Sequence, residues 1–291
     1  MSNVLLNNRY LVYDGQFHNE SQPLIHADNR SLRYGEGLFE TIQMRGDIPL
    51  LFDLHMERLT RGLALLELEL PKYVNPAYFR EFMTELRRKN QTGSFTRIRL
   101  TVLKGEGGVF EDPHPPAHFL IQAWPLGKNP EELNESGLLI DVYPHARLSS
   151  DAFSSLKTNN FLPYAMAASW ARRNNLNDAL MLNASGRLAE SAIANLFAVF
   201  ENSILTPPLE EGCIAGVVRS FLLNHQADIG FRIQESELPV DTLRQASAVF
   251  LSNAGYGIRW VAGFQGIEFD RRPVQALHER LEAALKHDFL P

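Results

Sequence analysis

A lysine that stands directly before a predicted helix has the clearest capacity for covalent chemistry in this sequence. Lys157 precedes two asparagines that can cap a helix, Pro163 suits a first helical turn, and the apolar repeat at Leu162, Met166 and Trp170 predicts the helix itself. A lysine at a helix entrance can be partly desolvated, which lowers the pKa of its amine and frees the amine to attack an aldehyde. The position therefore predicts a Schiff-base lysine, with an exposed surface lysine as the alternative.

A carboxylate in unusual surroundings supports this interpretation. Glu190 lies in a segment of mostly small and apolar residues that runs from Leu188 to Phe197. An ionised carboxylate is costly to bury in such surroundings unless a cation accompanies it. A protonated pyridine nitrogen would be such a cation, which makes Glu190 a candidate partner for a cofactor ring.

Two glycine-containing loops have features that suit a phosphate. Gly216 directly precedes a predicted helix, so the amides of Val217 and Val218 would be unpaired at its N-terminus, where the helix dipole favours an anion. The loop from Ser252 to Gly255 follows a predicted strand and offers further amides, a hydroxyl and a carboxamide. Either loop alone is also consistent with an ordinary turn, and no nucleotide fingerprint accompanies them. Arg58 would add a fixed charge, although a helix-surface ion pair is the alternative role for this arginine.

The composition excludes several classes of protein. The chain has 291 residues, of which 45% are hydrophobic and 21% charged, as in an ordinary globular protein. A formal net charge of −6 and the lack of a basic run argue against a nucleic-acid partner. No signal-peptide pattern and no membrane-length apolar run are present, so we expect a cytoplasmic protein without a membrane partner. The single cysteine, Cys213, excludes an intrachain disulfide and a cysteine-based zinc site, and we expect no metal.

Hydrophobic patterning predicts mixed α and β structure in two domains. We expect a smaller N-terminal α/β domain over residues 1–124, a linker over 125–135 and a larger C-terminal domain over 136–291. In the N-terminal part the predicted strands are 10–13, 38–44, 48–52, 96–103 and 119–124, and the predicted helices are 53–71 and 76–88. In the C-terminal part the predicted strands are 138–142, 179–182, 188–189, 196–200, 204–206, 231–234 and 249–251, with helices after Lys157 and over 217–227, 241–246 and 274–286.

Five short segments, spread over nearly the whole chain, match the pattern of one enzyme family. Each segment is weak evidence by itself, but the five in this order are specific. They are Tyr34 to Thr41, His55-x-x-Arg58-Leu59, Lys157-x-x-Asn160, Glu190 followed by Asn195-Leu196-Phe197, and Gly216 to Arg219. In these segments the chain resembles the class IV aminotransferases, the fold type IV pyridoxal-phosphate enzymes that include branched-chain and D-amino-acid aminotransferases and aminodeoxychorismate lyase. The resemblance implies a small α/β domain, a larger domain with a mixed, barrel-like sheet, pyridoxal 5'-phosphate (PLP) between the domains, and a homodimer that closes the site.

The resemblance also implies roles for individual residues. Lys157 would hold the cofactor as a Schiff base and later move the proton at the substrate carbon. Glu190 would pair with the pyridinium nitrogen and so keep the ring an electron sink. Arg58 would bind the cofactor phosphate, whereas His55 would be structural. The phosphate-loop positions of the family correspond to Val217, Val218, Asn253 and Ala254.

Three departures bear on the reaction. Branched-chain aminotransferases resemble one another in a glycine after the Phe-Glu pair, a tyrosine after Lys-x-x-Asn and a threonine-rich late loop, where this chain has Thr41, Phe161 and the loop from Ser252 to Ala254. The Phe-Glu-Thr segment and the Asn-Ala loop are similar to those of many aminodeoxychorismate lyases. We therefore favour a lyase that forms 4-aminobenzoate and pyruvate, narrowly over an amino-acid aminotransferase of D-amino-acid or branched-chain type. A PLP-binding protein without turnover is the third alternative.

Recognition of a substrate carboxylate needs residues other than those of the family pattern. The arginine expected after the glycine-rich loop is replaced here by Val109 or Phe110. Arginines that alternate along an exposed strand face usually contact only water. For Arg97 and Arg99, a surface role of this kind is therefore the alternative to substrate binding. The candidates for contact with an amine or amino-acid substrate that carries a carboxylate are Arg97 and Arg99, with Tyr34, Arg33 and Arg259.

Overall fold

The chain forms two compact units. The computed structural model describes residues 9–111, 115–127, 129–201 and 203–289. The N-terminal unit extends to Asn129 and also contains Thr158–Asn160, whereas the C-terminal unit contains Pro130–Lys157 and the chain from Phe161 onward. The division after Asn129 falls inside the predicted linker, and the assignment of Thr158–Asn160 to the N-terminal unit was not predicted.

An antiparallel sheet covered by helices makes up the N-terminal unit. Its strands are β1 (Tyr10–Tyr13), β2 (Gln16–Asn19), β3 (Gly37–Arg45), β4 (Ile48–Pro49), β5 (Phe95–Lys104) and β6 (Ala117–Pro125), in the spatial order β2-β1-β6-β5-β3-β4. Its helices are α1 (Arg30–Tyr34), α2 (Phe52–Leu65) and α3 (Pro76–Asn90). The buried side chains of Ile42, Ile98 and Ala123 lie side by side in the strand register. Since residues alternate between the faces of a strand, Arg97 and Arg99 on β5 belong to the opposite face.

Local sequence explains where these elements begin and end. Asp14 and Gly15 both have positive φ, which suits the tight hairpin between β1 and β2. The Asn75 side chain accepts a hydrogen bond from the amide of Tyr78 and thereby caps α3. The predicted strand 48–52 is wrong beyond Pro49, because Leu51 adopts a left-handed conformation with φ 52° and α2 begins directly after it.

A mixed sheet forms the centre of the C-terminal unit. Its strands are β7 (Leu138–Leu148), β8 (Asp178–Asn183), β9 (Leu188–Ser191), β10 (Asn195–Phe200), β11 (Ser203–Thr206), β12 (Ile233–Glu235), β13 (Ala248–Asn253), β14 (Gly257–Phe264) and β15 (Ile267–Glu268). Their order is β12-β11-β10-β13-β14-β7-β8-β9, with β15 paired to β14, and the pairs β11–β12, β7–β14 and β7–β8 are parallel. The helices are α4 (Leu162–Arg173), α5 (Val217–Asn224), α6 (Gln226–Ile229), α7 (Val240–Leu243) and α8 (Arg272–Phe289). No helix among the described residues combines the length and apolar character needed to cross a membrane.

Strand β8 shows why the sheet is buried on both faces. Leu180 and Leu182 belong to one apolar cluster, whereas Ala179 and Met181 belong to a second cluster that includes Ala167 of α4. Because alternate residues point to opposite faces, apolar side chains at every position predict a strand covered on both sides. Helix α4 covers one of these faces and thereby fixes its own first turn beside the sheet.

The start of α4 differs from the prediction. The N-cap residue is Phe161, and no side chain caps the helix. Asn159 instead donates its backbone N–H to the carbonyl of Gly37, 2.9 Å away, and Thr158 pairs with Leu38 of β3. The prediction that the asparagines cap the helix is therefore wrong, because the backbone of this segment bonds to a strand of the N-terminal unit.

Candidate active site

Glu190 on β9 is the centre of a buried hydrogen-bond network. Its side chain is 2% exposed. Oε1 accepts hydrogen bonds from Tyr164 Oη at 2.7 Å and from the Ile214 amide at 3.1 Å, and Oε2 accepts a longer one from Asn195 Nδ2 at 3.3 Å. Sequence considerations led us to expect a cation beside this carboxylate, and the structure adds neutral donors that stabilise its ionised form.

The ionisation of Glu190 is finely balanced. Burial raises the pKa of its carboxyl, whereas the hydrogen bonds from Tyr164 and Ile214 and the charges of Lys157 and Arg219 lower it, and the pKa lies at about 7. Burial has the larger effect because the group has lost nearly all contact with water. A carboxyl with such a pKa changes its charge readily when a new cation approaches, as a pyridinium ring would.

Lys157 lies at the end of the segment that precedes α4. The side chain is half-buried, and its Nζ lies 5.5 Å from the centre of the Phe161 ring. That ring in turn stacks on Tyr164, with the ring centres 4.4 Å apart. An aromatic face near an ammonium group stabilises it and limits its freedom. The C-terminal unit thus contains a connected set that runs from Lys157 through two aromatic rings to Glu190.

The first predicted phosphate loop precedes α5. Gly216 is the N-cap residue, and no side chain caps the helix, so the amides of Val217 and Val218 are available at a helix N-terminus. A Cβ at Gly216 would collide with Asn195 Oδ1, which explains the glycine. Asn195 also donates from Nδ2 to the carbonyl of Ile214. The residue that contacts Glu190 therefore also determines the shape of this loop.

The second predicted phosphate loop follows β13. Asn253 Oδ1 accepts from the amides of Gly255 and Tyr256, and its Nδ2 donates to the carbonyl of Ile193 at 3.1 Å. Its side chain therefore shapes the loop itself, and Ala254 lies within the turn. Ser252 pairs with Asn195 in the register of β13 and β10, and its buried hydroxyl has no hydrogen-bond partner among the described residues. A buried hydroxyl without a partner is the kind of group that a bound ligand satisfies.

Arg58, the predicted phosphate arginine, lies on α2 with its side chain buried. Nε and Nη2 donate to the two oxygens of Glu40 at 2.8 and 2.5 Å, and His55 Nδ1 contacts Glu40 Oε2 at 2.6 Å. The alternative role as a helix-surface ion pair is wrong, because Arg58 and Glu40 have side-chain exposures of 7% and 2%. The phosphate role of Arg58 and the structural role of His55 stay predictions.

Arg97 and Arg99 occupy alternate positions on β5. The Arg99 guanidinium lies 3.8 Å from the centre of the Phe39 ring, and its Nε donates to Thr101 Oγ1 at 3.3 Å. Arg97 lies 4.9 Å from the centre of the Trp124 ring. Within the part of the chain that the structure describes, neither arginine forms a salt bridge. Burial and the charge of Arg97 lower the pKa of Arg99, which means that this guanidinium lacks a compensating anion.

The other predicted substrate residues have ordinary surroundings. Tyr34 ends α1 and is 41% exposed, with the Arg33 guanidinium 5.1 Å from its ring centre. Arg259 stacks on Tyr256 at 4.6 Å. Val109 and Phe110, which replace the expected arginine, are exposed apolar residues. Their roles in substrate binding stay predictions.

Several known proteins are similar to this chain in sequence and in fold. A sequence model of the amino-transferase class IV family matches residues 37–264. The branched-chain-amino-acid aminotransferase of Salmonella typhimurium is 24% identical over 94% of this chain and 91% of that protein. The aminodeoxychorismate lyase of Bacillus subtilis is 24% identical over 84% of this chain and 83% of that protein. The crystal structure of a branched-chain aminotransferase from Thermoproteus uzoniensis with norvaline has a TM-score of 0.86 and 26% identity, covering 96% of this chain and 95% of that chain.

The chain belongs to the class IV aminotransferase family and is a PLP-dependent enzyme. This membership sets aside the alternative of a cofactor-binding protein without turnover. The fold type IV architecture expected from the sequence is confirmed. The relatives include aminotransferases and lyases, which share the cofactor and differ in the reaction.

The described residues fit such a cofactor. A buried carboxylate with its pKa near neutrality, a half-buried lysine, uncapped amides before α5 and an unpartnered buried hydroxyl at Ser252 lie within one unit. The carboxylate matches a pyridine nitrogen, the lysine matches an aldehyde, and the amides and the hydroxyl match a phosphate. Sequence reasoning gave no role to Tyr164, Asn195 or the Ile214 amide, although Asn195 belonged to a matched segment.

Proposed function

We propose that this enzyme acts on a primary amine that carries two carboxylates, as an aminodeoxychorismate lyase does. The observation that carries the proposal is the pair of arginines on β5, which form no salt bridge with a described residue. Two guanidinium groups on one strand face repel each other, and an anion bound between them relieves that repulsion. Arg99 is half-buried and contacts Phe39 and Thr101, whereas Arg97 is exposed.

Thr41 adds to the support for a lyase. It lies directly opposite Arg99 in the register of β3 and β5, at the position where branched-chain aminotransferases resemble one another in a glycine. A hydroxyl beside a guanidinium offers a donor and an acceptor to a bound carboxylate. A polar substrate group suits this arrangement better than a branched aliphatic side chain, because an aliphatic group would offer no hydrogen bond to Thr41 or Arg99.

The cofactor site is proposed as follows. Lys157 would bond to the aldehyde carbon, Glu190 would pair with the ring nitrogen, and Arg58 and the loops that contain Val217, Val218, Asn253 and Ala254 would bind the phosphate. When bound, PLP withdraws electrons from the carbon that loses a proton. Lys157 would also serve as the base that takes this proton, since a lysine amine freed from the aldehyde is basic and stays beside the point of attachment.

The proposed lyase reaction balances without a second substrate. Lys157 would remove the proton from the ring carbon that bears the amine of aminodeoxychorismate. The carbon–oxygen bond on the neighbouring ring carbon would break, its electrons would leave with the enolpyruvyl side chain, and the ring would become aromatic 4-aminobenzoate. The released enolpyruvate takes up the proton to become pyruvate. Aromatisation supplies the driving force, so the enzyme needs no 2-oxo acid.

The experiment supplies aminodeoxychorismate without any 2-oxo acid and follows 4-aminobenzoate and pyruvate. We expect equal amounts of both products. Arg99→Gln should raise KM about 10- to 100-fold, which corresponds to the loss of one charge-assisted hydrogen bond. Arg61→Gln, an exposed arginine on α2, is the matched control and should leave KM unchanged. Absence of 4-aminobenzoate from enzyme that contains the cofactor would contradict the lyase assignment.

An amino-acid aminotransferase is the second candidate, and the likeness to branched-chain aminotransferases favours it. The same arginine pair would then bind the carboxylates of a dicarboxylic amino donor. This candidate predicts amino transfer from D- or L-amino acids to a 2-oxo acid and no release of 4-aminobenzoate. The two assays, run on one preparation, distinguish the candidates.

A homodimer and a cytoplasmic location stay part of the proposal. Leu162 and Met166, one turn apart on α4, are 67% and 43% exposed, and Ile193 is 50% exposed. Large apolar side chains so exposed are typical of a surface that a partner covers. Light scattering of the unchanged protein and of a Met166→Glu variant tests this, with a dimer expected for the first and a monomer for the second.

A further inference from the structure

Tyr164 makes a contact with Glu190 that the family segments did not predict. The tyrosine lies in the first turn of α4, and its hydroxyl donates to Oε1 of Glu190 at 2.7 Å. The ring is held by stacking on Phe161, with an interplanar angle of 19°. The stacking on Phe161 therefore fixes the position of the Tyr164 hydroxyl independently of Glu190.

The donors to Glu190 are unevenly divided between its oxygens. Oε1 accepts from Tyr164 and from the Ile214 amide, at 2.7 and 3.1 Å. Oε2 accepts from Asn195 alone among the described residues, at 3.3 Å. A carboxylate oxygen has two lone pairs, so Oε1 is satisfied and Oε2 keeps capacity for one more donor.

The charged groups around Glu190 make the tyrosine important. Lys157 and Arg219 favour the ionised carboxylate at a distance, and Cys213 lies near enough to interact with Glu190. No described lysine or arginine forms a salt bridge with Glu190. The contact that most directly offsets burial is the Tyr164 hydrogen bond. Burial and the nearby Glu190 charge raise the pKa of Tyr164 well above its usual range, so the phenol stays a donor at all ordinary pH values.

We propose that Tyr164 is a positioning residue that occupies Oε1 of Glu190, favours the ionised form of the carboxylate, and thereby reserves Oε2 for the ring nitrogen of the cofactor. The second part rests on the proposed function, because it assumes that Glu190 holds the ring. The first part concerns this chain alone. A phenol in this role provides a fixed neutral donor, which orients the carboxylate without adding a second cation that would compete with the ring.

The test compares Tyr164→Phe with Tyr143→Phe. Tyr143 lies in the same buried cluster, and its hydroxyl forms no hydrogen bond with a described residue, so its removal is a matched control. Infrared difference spectra of the cofactor-free full chain, recorded against the same protein with Glu190→Gln, report the protonation of Glu190. The midpoint should lie near pH 7 in the unchanged protein and rise by about one pH unit in Tyr164→Phe, with no change in Tyr143→Phe.

Enzyme that contains PLP provides a second measurement. In Tyr164→Phe the pH dependence of the absorbance of the bound cofactor should shift in the same direction, and kcat should fall while KM for the substrate changes little. An unchanged Glu190 midpoint in folded Tyr164→Phe protein would overturn the inference. If the unchanged protein fails to bind PLP, the proposed function fails, and the infrared comparison still decides whether Tyr164 controls Glu190.

Discussion

Arg58 Nε lies 2.8 Å from Glu40 Oε1, inside the N-terminal unit, where both side chains are almost fully buried. A second nitrogen of Arg58 donates to the other carboxylate oxygen, so the pair is bidentate. Removal of one partner from a buried pair leaves an uncompensated charge, which costs far more than the loss of a surface ion pair. The residue proposed to bind phosphate therefore also stabilises the unit that carries it.

Arg58→Ala should destabilise the cofactor-free protein by about 3–5 kcal/mol, because the buried Glu40 would lose its bidentate arginine. Chemical denaturation measures this change. Arg61→Ala on the same helix is the control and should cost less than about 0.5 kcal/mol, since Arg61 is exposed. A similar small effect of both substitutions would contradict the buried pair.

Acid should weaken the N-terminal unit through Glu40. Burial opposes ionisation of this carboxyl, yet Arg58 and His55 outweigh burial and lower its pKa from 4.5 to about 2. A carboxyl with a depressed pKa in the folded state adds stability above its unfolded pKa, and that stability is lost as the pH falls through the folded pKa. We expect a loss of about 3 kcal/mol between about pH 5 and about pH 1, measured by urea unfolding. Glu40→Gln should remove this part of the pH dependence.

Lys157→Ala should abolish covalent attachment of PLP, because the amine that attacks the aldehyde is gone. Borohydride reduction of the unchanged protein, followed by peptide mapping, should place the pyridoxyl group on Lys157. Lys72→Ala replaces an exposed lysine and should retain the modification. A pyridoxyl group on any other lysine would rule out the assignment.

Glu190→Gln should preserve the fold and slow the reaction. The amide has the shape of the carboxylate and can still accept from Tyr164 and the Ile214 amide through its oxygen. Without the negative charge the ring nitrogen is held less firmly in its protonated form, which should raise the barrier by about 2–4 kcal/mol. Single-turnover rates at equal cofactor occupancy measure the effect. Unchanged rates would show that Glu190 is only structural.

Gly37→Ala should destabilise the N-terminal unit by about 1–3 kcal/mol. A Cβ at this position would collide with Asn159 Nδ2 and with the Val102 carbonyl oxygen. Gly127→Ala is the control, because a Cβ there meets no described atom within 4 Å. Thermal unfolding of both variants measures the difference, and equal midpoints would mean that the segment around Asn159 moves aside at no cost.

Elements with strong local signals could be predicted from the sequence. Helix α3 was predicted from its amphipathic pattern, and the structure adds that Asn75 caps it and Pro76 occupies its first turn. Strand β14 was missed, because Gly257 and Gly263 weaken the strand pattern and buried residues do not alternate along it. Its place is determined by pairing with β13 and β7, which no local pattern reveals.

In the candidate site, too, some residues could be predicted from the sequence and others could not. Lys157 and Glu190 could be predicted because a desolvated amine and a buried carboxylate are rare and belong to few kinds of chemistry. Tyr164 could not, because it reaches Glu190 from a residue 26 positions away in the sequence and only the packing of α4 on the sheet brings them together. The surroundings of Arg58 were missed for the same reason, since Glu40 lies 18 positions away on another element.

The discontinuity of the N-terminal unit affects how the protein forms during synthesis. Thr158–Asn160 belong to this unit, and they pair with Gly37 and Leu38 at the start of β3. A ribosome releases the chain in order, so this pairing cannot form until more than half of the protein has emerged. Nascent chains that stop at Asn129 should therefore be more sensitive to protease than nascent chains that extend well past Asn160, and the residues beside Lys157 complete the first unit before the second has been fully translated.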